Sequence, residues 1–146
     1  KKYHFPIARI KNDNNNFSFS GLKTSLFYLL KKIDSDIYNK DKNHIAASYQ
    51  EAILEALIQK LIYISNKVNV YDIVISGGVT SNKRFREKLS SIDSNNLYRI
   101  KFPDIQYCTD NAAMICIAGY EKALNNNFSN IIFDAKPNQL MSDNES

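Results

Sequence analysis

A run of β-branched residues at 73–75 and the following Ser76 carry no charge, and Gly77 and Gly78 come next. Apolar residues then recur at helical spacing, so the pattern predicts a strand, a tight turn and a helix. The apolar side of that helix carries Phe85, Leu89 and Ile92, and its solvent side Lys83, Arg84, Arg86 and Lys88. Glycine permits a sharp turn, and the first N–H groups of a helix attract anions. The pattern therefore indicates either a cradle for a nucleotide or acyl phosphate, or a tight βα turn that binds nothing.

Two helices are predicted before this strand. The first begins at Gly21, with Ser20 as a candidate cap, and the second runs from about residue 44 to 66. Residues 34–43 are expected to form the loop between them. Apolar residues three and four apart mark the buried face of each helix. In the first helix they are Leu22, Leu26, Leu29, Leu30 and Ile33. In the second helix they are Ile45, Tyr49, Ala52, Ile53, Ala56, Leu57, Leu61 and Ile64. Short strands are expected at 5–10 and at 17–19. The strand at 5–10 is expected at a sheet edge, because Pro6 lacks the N–H that a central strand needs.

A further strand and a strongly apolar helix are predicted after the basic helix. Residues 97–102 have strand character and stop at Pro103, and residues 112–124 are apolar on almost every side. Such a helix is expected to be buried on several sides. The polar tail at 134–146 is expected to be extended or disordered. The predicted domain is therefore residues 1–133, an α/β unit with few strands, and part of its sheet is expected outside this chain.

Composition adds limits on class and partners. The 146 residues are 44% hydrophobic, which suits one compact domain with a core. No apolar run approaches the roughly 18 residues needed to cross a membrane, and no signal-peptide pattern is present. A net charge of +4 permits a polyanionic partner without identifying one. The opening at Lys1 looks like the interior of a longer chain, so we expect a fragment.

Two polar residues precede helices at positions where chemistry is possible. The amide of Asn82 is placed either to bond a ligand held over the glycines or to help Thr80 or Ser81 cap the basic helix. Asp110 precedes the apolar helix, as an N-cap or as a metal-binding or catalytic carboxylate. Spacing along the sequence does not separate these alternatives.

Other common site patterns are absent from the sequence. It contains no Ser-His-Asp set, P-loop, HExxH or EF-hand pattern. His4 and His44 are too few for a histidine-rich metal site. Cys108 and Cys116 are eight residues apart without a CxxC motif. We therefore expect reduced thiols, with Cys108 as a small buried residue.

Three sequence blocks together resemble the TsaD family of tRNA threonylcarbamoyladenosine transferases, formerly described as glycoproteases. The blocks are FSFSGLKT at 17–24, SGGVTSNKRFR at 76–86 and CTDNAAMI at 108–115. Shorter matches at 5–6 and 45–50 occur in the same order. The residues in the FSFSGLKT and CTDN stretches are more similar to the bacterial and organellar branch of that family than to the archaeal and eukaryotic cytosolic branch.

The resemblance implies an actin-, Hsp70- and sugar-kinase-like (ASKHA) ATPase fold with two ribonuclease-H-like lobes, of which this chain is the second. By the same similarity, Gly77 and Gly78 belong to a nucleotide-binding turn, Asn82 binds threonylcarbamoyl-adenylate, and Asp110 ligates a metal. The implied acyltransferase moves the threonylcarbamoyl group to the adenosine beside the anticodon of ANN-decoding tRNAs. No residue here is assigned as a general base.

Cofactors and partners are implied by the same resemblance. They are one divalent metal ion, iron or zinc, and threonylcarbamoyl-adenylate, ATP or ADP as the nucleotide. Expected partners are tRNA, the missing N-terminal lobe and, in a bacterium, TsaB- and TsaE-like proteins. No membrane association is expected. The expected location is the cytoplasm, or an organelle in a eukaryote. The basic helix with Lys83, Arg84 and Arg86 is a candidate surface for tRNA phosphates. The family's HxxGH metal motif and SGGHT phosphate block have no counterpart here, so this chain alone is expected to be inactive.

Two alternatives stay open. A strand, two glycines and a helix also occur in the nucleotide lobe of small-molecule kinases with the ASKHA fold. A lobe that exposes an apolar patch also suits a non-catalytic interaction module. The FSFSGLKT and CTDNAAMI blocks argue against the kinase, whereas self-association of the purified chain would favour the interaction module.

Overall fold

The computed structural model describes residues 2–7, 19–93 and 97–130. It divides the chain into two compact units, Lys1–Cys108 and Thr109–Ser146. In the first unit these residues form α1 (Ser20–Lys32), α2 (Ser35–Val68), β1 (Asp72–Val74), a 3₁₀ turn (Gly78–Ser81), α3 (Lys83–Asp93), β2 (Arg99–Lys101) and a 3₁₀ turn (Ile105–Tyr107). In the second unit they form α4 (Ala112–Leu124). The predicted domain boundary after residue 133 and the polar tail lie outside the described residues.

The sheet consists of β1 and β2, which pair in parallel with Ile73 opposite Ile100. α3 connects the two strands, so β1, α3 and β2 form one βαβ unit. This is the predicted helix-rich α/β pattern, with strands shorter than the predicted runs at 70–76 and 97–102. Val74 is 77% exposed. Parallel sheets are usually covered on both faces, so this sheet has room for further elements.

The larger core cluster lies between α2, α3 and the sheet. Its buried members are Leu54, Ile58, Phe85, Leu89, Tyr98 and Ile100. Phe85 and Leu89 are buried as the spacing predicts, but Leu54 and Ile58 lie outside the stripe predicted for the second helix. The reason is that α2 packs on two different sides, against α1 and against the βαβ unit. A single-stripe interpretation of this helix is therefore incomplete.

A smaller core cluster joins α1, α2 and the N-terminal segment. Its buried members are Phe5, Leu22, Ile45 and Ala52. The N–H of Tyr3 donates to Oγ of Ser48 at 3.3 Å, and its hydroxyl donates to Oδ2 of Asp41 at 2.6 Å. The segment therefore packs on a helix, and residues 5–7 do not form the predicted strand. The predicted strand residues 8–10 and 17–18 lie outside the described residues.

Two helices begin earlier than predicted. α2 begins at Ser35, where Oδ1 of Asp34 accepts the N–H of Asp36 at 2.8 Å, so the predicted loop at 34–43 is helical. Its first turns are mostly polar, and hydrophobic periodicity therefore did not reveal them. Ser20 lies inside α1, and Phe19 occupies the N-cap position without a side-chain cap.

α4 has the predicted bounds, Ala112–Leu124, but not the predicted burial. None of its residues is buried, and Ile115 and Ile117 are each 66% exposed. The described part of the second unit, residues 109–130, contains no other helix or strand to cover it. Throughout the described residues, no helix combines the length and the apolar character needed to cross a membrane.

Candidate functional site

The glycine turn (residues 77–82) connects β1 to α3. Gly77 has a φ of +94°, a conformation that residues with a side chain rarely adopt, although nothing lies within 4 Å of the position of a Cβ. Backbone conformation rather than crowding therefore requires glycine here. The N–H of Thr80 donates to the Gly77 carbonyl at 2.9 Å, and Oγ of Ser81 donates to the Gly78 carbonyl at 2.6 Å. These bonds fix the shape of the turn.

Asn82 ends the glycine turn and caps α3. Its Oδ1 accepts the N–H of Phe85 at 3.0 Å, so Asn82 makes the capping bond itself, where the sequence suggested that it helps Thr80 or Ser81 to cap the helix. Its Nδ2 lies 3.4 Å from Oε1 of Gln50 on α2. Capping and ligand binding are therefore compatible, because the cap occupies the oxygen and leaves the nitrogen with a long contact.

An open cleft of about 470 Å³ lies beside the glycine turn, among α1, α2 and the turn itself. Its walls are mainly apolar, with Leu26 from α1, Ile53 from α2 and Val79 from the turn. Gln50 and Asn82 supply amide groups. This volume is typical of small-molecule sites, which range over roughly 300–1,000 Å³. The sequence does not reveal the cleft or Gln50, because nothing in the local pattern of a solvent-facing Gln marks it as part of a site.

Arg86 does not lie on the solvent side of α3, as the spacing predicts. Its Nε donates to the Thr80 carbonyl at 2.6 Å, and its Nη2 donates to the Pro103 carbonyl at 2.6 Å. Nη2 also lies 3.2 Å from Sγ of Cys108, which is buried as expected. The sequence gives no signal for this inward orientation, since Arg86 contacts backbone carbonyl groups, which every residue type carries.

Ion pairs with α2 and within α3 neutralise much of the basic side of α3. Arg84 contacts Glu51 at 2.5 Å and Glu87 at 3.1 Å, and Lys88 contacts Glu51 at 3.0 Å and Glu55 at 3.2 Å. The hydrogen bond from Arg84, with a weaker contribution from Lys88, lowers the pKa of Glu51 to about 2 although burial opposes this. These cations are engaged within the chain, which weakens the prediction that α3 faces tRNA phosphates.

Asp110 lies in the second unit, and the other three predicted site residues share the glycine turn of the first. The N-cap of α4 is Asn111, whose Oδ1 accepts the N–H of Met114 at 3.1 Å. The N-cap interpretation of Asp110 is therefore wrong, and its exposed carboxylate is not used for capping. Across residues 2–7, 19–93 and 97–130, no group of three His, Cys, Asp or Glu side chains is placed to hold a metal ion.

A βαβ unit with a glycine turn after its first strand, and a cleft beside that turn, makes this a helix-rich α/β chain with an arrangement that many nucleotide-binding domains share. Residues 1–117 match the family model of TsaD, tRNA N6-adenosine threonylcarbamoyltransferase. The chain belongs to this family, which confirms the resemblance carried by the three sequence blocks.

Curated relatives in bacteria extend the match over nearly the whole chain. The tRNA N6-adenosine threonylcarbamoyltransferase of Thermotoga neapolitana is 41% identical over 94% of this chain and 41% of its own length. The protein of the same name in Kosmotoga olearia is 42% identical over 92% of this chain and 40% of its own length. That of Buchnera aphidicola is 39% identical over 98% of this chain and 41% of its own length. The chain thus spans about two fifths of these relatives.

Proposed function

We propose that this chain is part of an enzyme that transfers the threonylcarbamoyl group from threonylcarbamoyl-adenylate to the adenosine beside the anticodon of ANN-decoding tRNAs. The observation that carries the proposal is the glycine turn with its cleft, in a chain that belongs to the TsaD family. In the transfer, the carbamoyl carbon exchanges its bond to a phosphate oxygen for a bond to N6 of adenosine, and AMP leaves. The names of the relatives support this activity.

The glycine turn would bind the nucleotide part of the donor. Gly77 and Gly78 have no side chains, so a phosphate or ribose can approach their backbone closely. Asn82 would donate from Nδ2, since Oδ1 is used by the cap. Its present contact with Gln50, 3.4 Å, is long for a hydrogen bond and easily exchanged for a ligand acceptor. The apolar walls of the cleft suit a purine base.

Asp110 is proposed as one ligand of a divalent metal ion, iron or zinc. Its carboxylate is exposed and does not cap α4, and carboxylate oxygen is a suitable donor for such an ion. One carboxylate is not a complete site, so the other ligands would come from outside the described residues. A bound ion would act as a Lewis acid on the acyl donor.

We further propose the ASKHA fold, with this chain as the second of two ribonuclease-H-like lobes. Val74 on the sheet and the apolar side chains of α4 are exposed, as expected of surfaces that further elements cover. The coverage of 41% of the Thermotoga relative is consistent with a second lobe outside this sequence. The proposed partners of this chain are tRNA and TsaB- and TsaE-like proteins.

A tRNA substrate favours a location in the cytoplasm, or in an organelle of a eukaryotic cell.

A non-catalytic assembly module is the second candidate, because α4 leaves Ile117, Tyr120 and Leu124 at least 60% exposed. Membership of the TsaD family argues against the third candidate, a small-molecule kinase lobe.

The test is reconstitution with the whole protein and, in parallel, with this chain alone. Each is supplied with tRNA, threonine, bicarbonate, ATP and the partner proteins, and the tRNA nucleosides are analysed by mass spectrometry. We expect threonylcarbamoyladenosine from the whole protein and none from this chain. Product from the chain alone would contradict the need for a second lobe. Phosphorylation of a small molecule without the modified nucleoside would favour the kinase, and self-association without either activity would favour the assembly module.

A further inference from the structure

Arg86 joins two segments that are far apart in the sequence. Its guanidinium donates to the carbonyl oxygens of Thr80 and Pro103, each at 2.6 Å. The same group lies 3.2 Å from Sγ of Cys108, and its central carbon lies 4.4 Å from the centre of the Phe102 ring. One side chain of α3 therefore links the glycine turn to residues 102–108.

Each linked segment leads directly to a candidate site residue. Thr80 precedes Asn82 by two residues, and Cys108 precedes Asp110 by two. Thr80 is fully buried and Cys108 is 2% exposed. Hydrogen bonds from a charged donor are strong where water is excluded, so these contacts restrict both segments more than exposed contacts would.

We propose that Arg86 is a positioning residue for the adenylate site. It holds the glycine turn, from which Asn82 extends, in a fixed relation to residues 102–108, the last of which ends the first unit two positions before Asp110. The importance of this fixed relation rests on the proposed function, whereas the link itself rests only on the contacts of Arg86.

The chemistry of the link requires arginine. Two different nitrogens, Nε and Nη2, donate to the two carbonyls, and a planar guanidinium presents such N–H donors at fixed angles. The ammonium group of a lysine is a single point on a flexible stem and cannot bond the same acceptors at once. Phe102 adds a ring face against which the flat guanidinium stacks. Positive charge alone is therefore not sufficient.

The experiment compares Arg86→Ala and Arg86→Lys in the whole protein with the control Arg84→Gln. Arg84 is on the same helix but contacts Glu51 and Glu87, so its substitution removes a cation and leaves the link intact. The direct readout is the alkylation rate of Cys108, buried in this chain, relative to that of Cys116 in the same sample, with each variant compared with wild type. Both cysteines lie in one tryptic peptide, residues 102–122, in which tandem mass spectrometry distinguishes them.

We expect the ratio of the Cys108 rate to the Cys116 rate to rise about tenfold or more in both Arg86 variants, and to stay within about twofold of wild type in Arg84→Gln. Transfer activity should fall in both Arg86 variants, and added guanidinium should partly restore it in Arg86→Ala but not in Arg86→Lys. Such selective rescue would show that a planar guanidinium in the space left by Arg86, rather than positive charge alone, is what activity requires.

An unchanged alkylation ratio in Arg86→Ala, or full activity in Arg86→Lys, would overturn the proposal. If Arg86→Ala fails to fold, the alkylation ratio and activity of Arg86→Lys test the proposal, because this variant keeps most of the side chain and the charge. If the wild-type protein performs no threonylcarbamoyl transfer, the proposed function fails, and the alkylation ratio still decides whether Arg86 forms the link.

Discussion

The side-chain nitrogen of Asn82 lies 3.4 Å from Oε1 of Gln50, a contact that joins the glycine turn to α2. The oxygen of the same amide caps α3 by accepting the N–H of Phe85. The two functions considered for Asn82 thus use different atoms. They can be separated by substitutions that keep one atom and remove the other.

Substitution of Asn82 should affect stability and ligand binding differently. Asn82→Ala removes the cap and should lower the free energy of unfolding by about 1 kcal/mol, whereas Asn82→Asp keeps an acceptor at Oδ1 and should change it by only a few tenths. Both lose the Nδ2 donor and should weaken ADP binding about tenfold or more. Urea denaturation and calorimetric titration of the whole protein measure the two effects. Wild-type ADP affinity in Asn82→Asp would show that Nδ2 does not bind the nucleotide.

Thr80 buries a hydroxyl that has no hydrogen-bond partner among the described residues. Thr80→Val replaces this hydroxyl with a methyl group of similar size, and should stabilise the protein by about 1 kcal/mol because the desolvation cost disappears. Thr80→Ser is the matched control, since it keeps the hydroxyl, loses the methyl group and should destabilise by a similar amount. Thermal and urea denaturation test both. A destabilised Thr80→Val would mean that the hydroxyl has a partner.

The burial of Leu89 predicts a large cost for its truncation. Leu89 has no exposed surface and lies in the larger core cluster. Leu89→Ala should cost about 2–5 kcal/mol, the usual range for a buried Leu. Val74→Ala, at a position that is 77% exposed, should cost less than about 0.5 kcal/mol in this chain. Urea denaturation of both variants measures the difference, and equal costs would contradict the assignment of the core.

Glu51 should make stability depend on pH. Its pKa is lowered from 4.5 to about 2 in the folded state, so the folded state binds this proton less readily than the unfolded state does. The contribution is fully present above about pH 4.5 and is lost as the pH falls toward 2. Allowing for solvent screening, Glu51→Gln should cost about 1–2 kcal/mol at pH 7.

The test is the difference in unfolding free energy between wild type and Glu51→Gln at pH 7 and at pH 3, which cancels the contributions of other carboxylates. Glu87→Gln is the control, because the side chain of Glu87 is 63% exposed and contacts only Arg84 among these pairs. A difference that does not shrink at low pH would contradict the ionic role of Glu51.

Asp110 and Asn111 are adjacent but should have separate effects. Asn111→Ala removes the cap of α4 and should speed hydrogen exchange of the first turns of α4, consistent with a cost of about 1 kcal/mol. Asp110→Ala should leave that exchange unchanged and should lower the metal content of the whole protein. Hydrogen-exchange and metal-analysis mass spectrometry measure the two outcomes. Full metal content in Asp110→Ala would refute the proposed ligand role.

Local sequence predicted the buried side of one helix and the bounds of another. The spacing of Phe85 and Leu89 gave the buried side of α3, and the apolar run at 112–124 gave the bounds of α4. The start of α2 was missed because its first turns are mostly polar. Its second buried side, with Leu54, was missed because one hydrophobic period identifies only one buried face of a helix. Burial of α4 was wrongly expected, because the apolar character of a helix does not show whether another element of the same chain packs against it.

The sequence by itself determined the family, through three blocks whose residue types are specific, and it located Gly77, Gly78, Asn82 and Asp110 as the candidate site residues. Gly77 was identifiable because a positive φ at a βα turn favours glycine whatever surrounds it. The tertiary structure decided the inward contacts of Arg86, the pairing of Asn82 with Gln50 and the neutralisation of α3 by Glu51. These depend on groups more than thirty positions apart or on backbone carbonyls, which every residue type carries. No local pattern of residue types can therefore encode them.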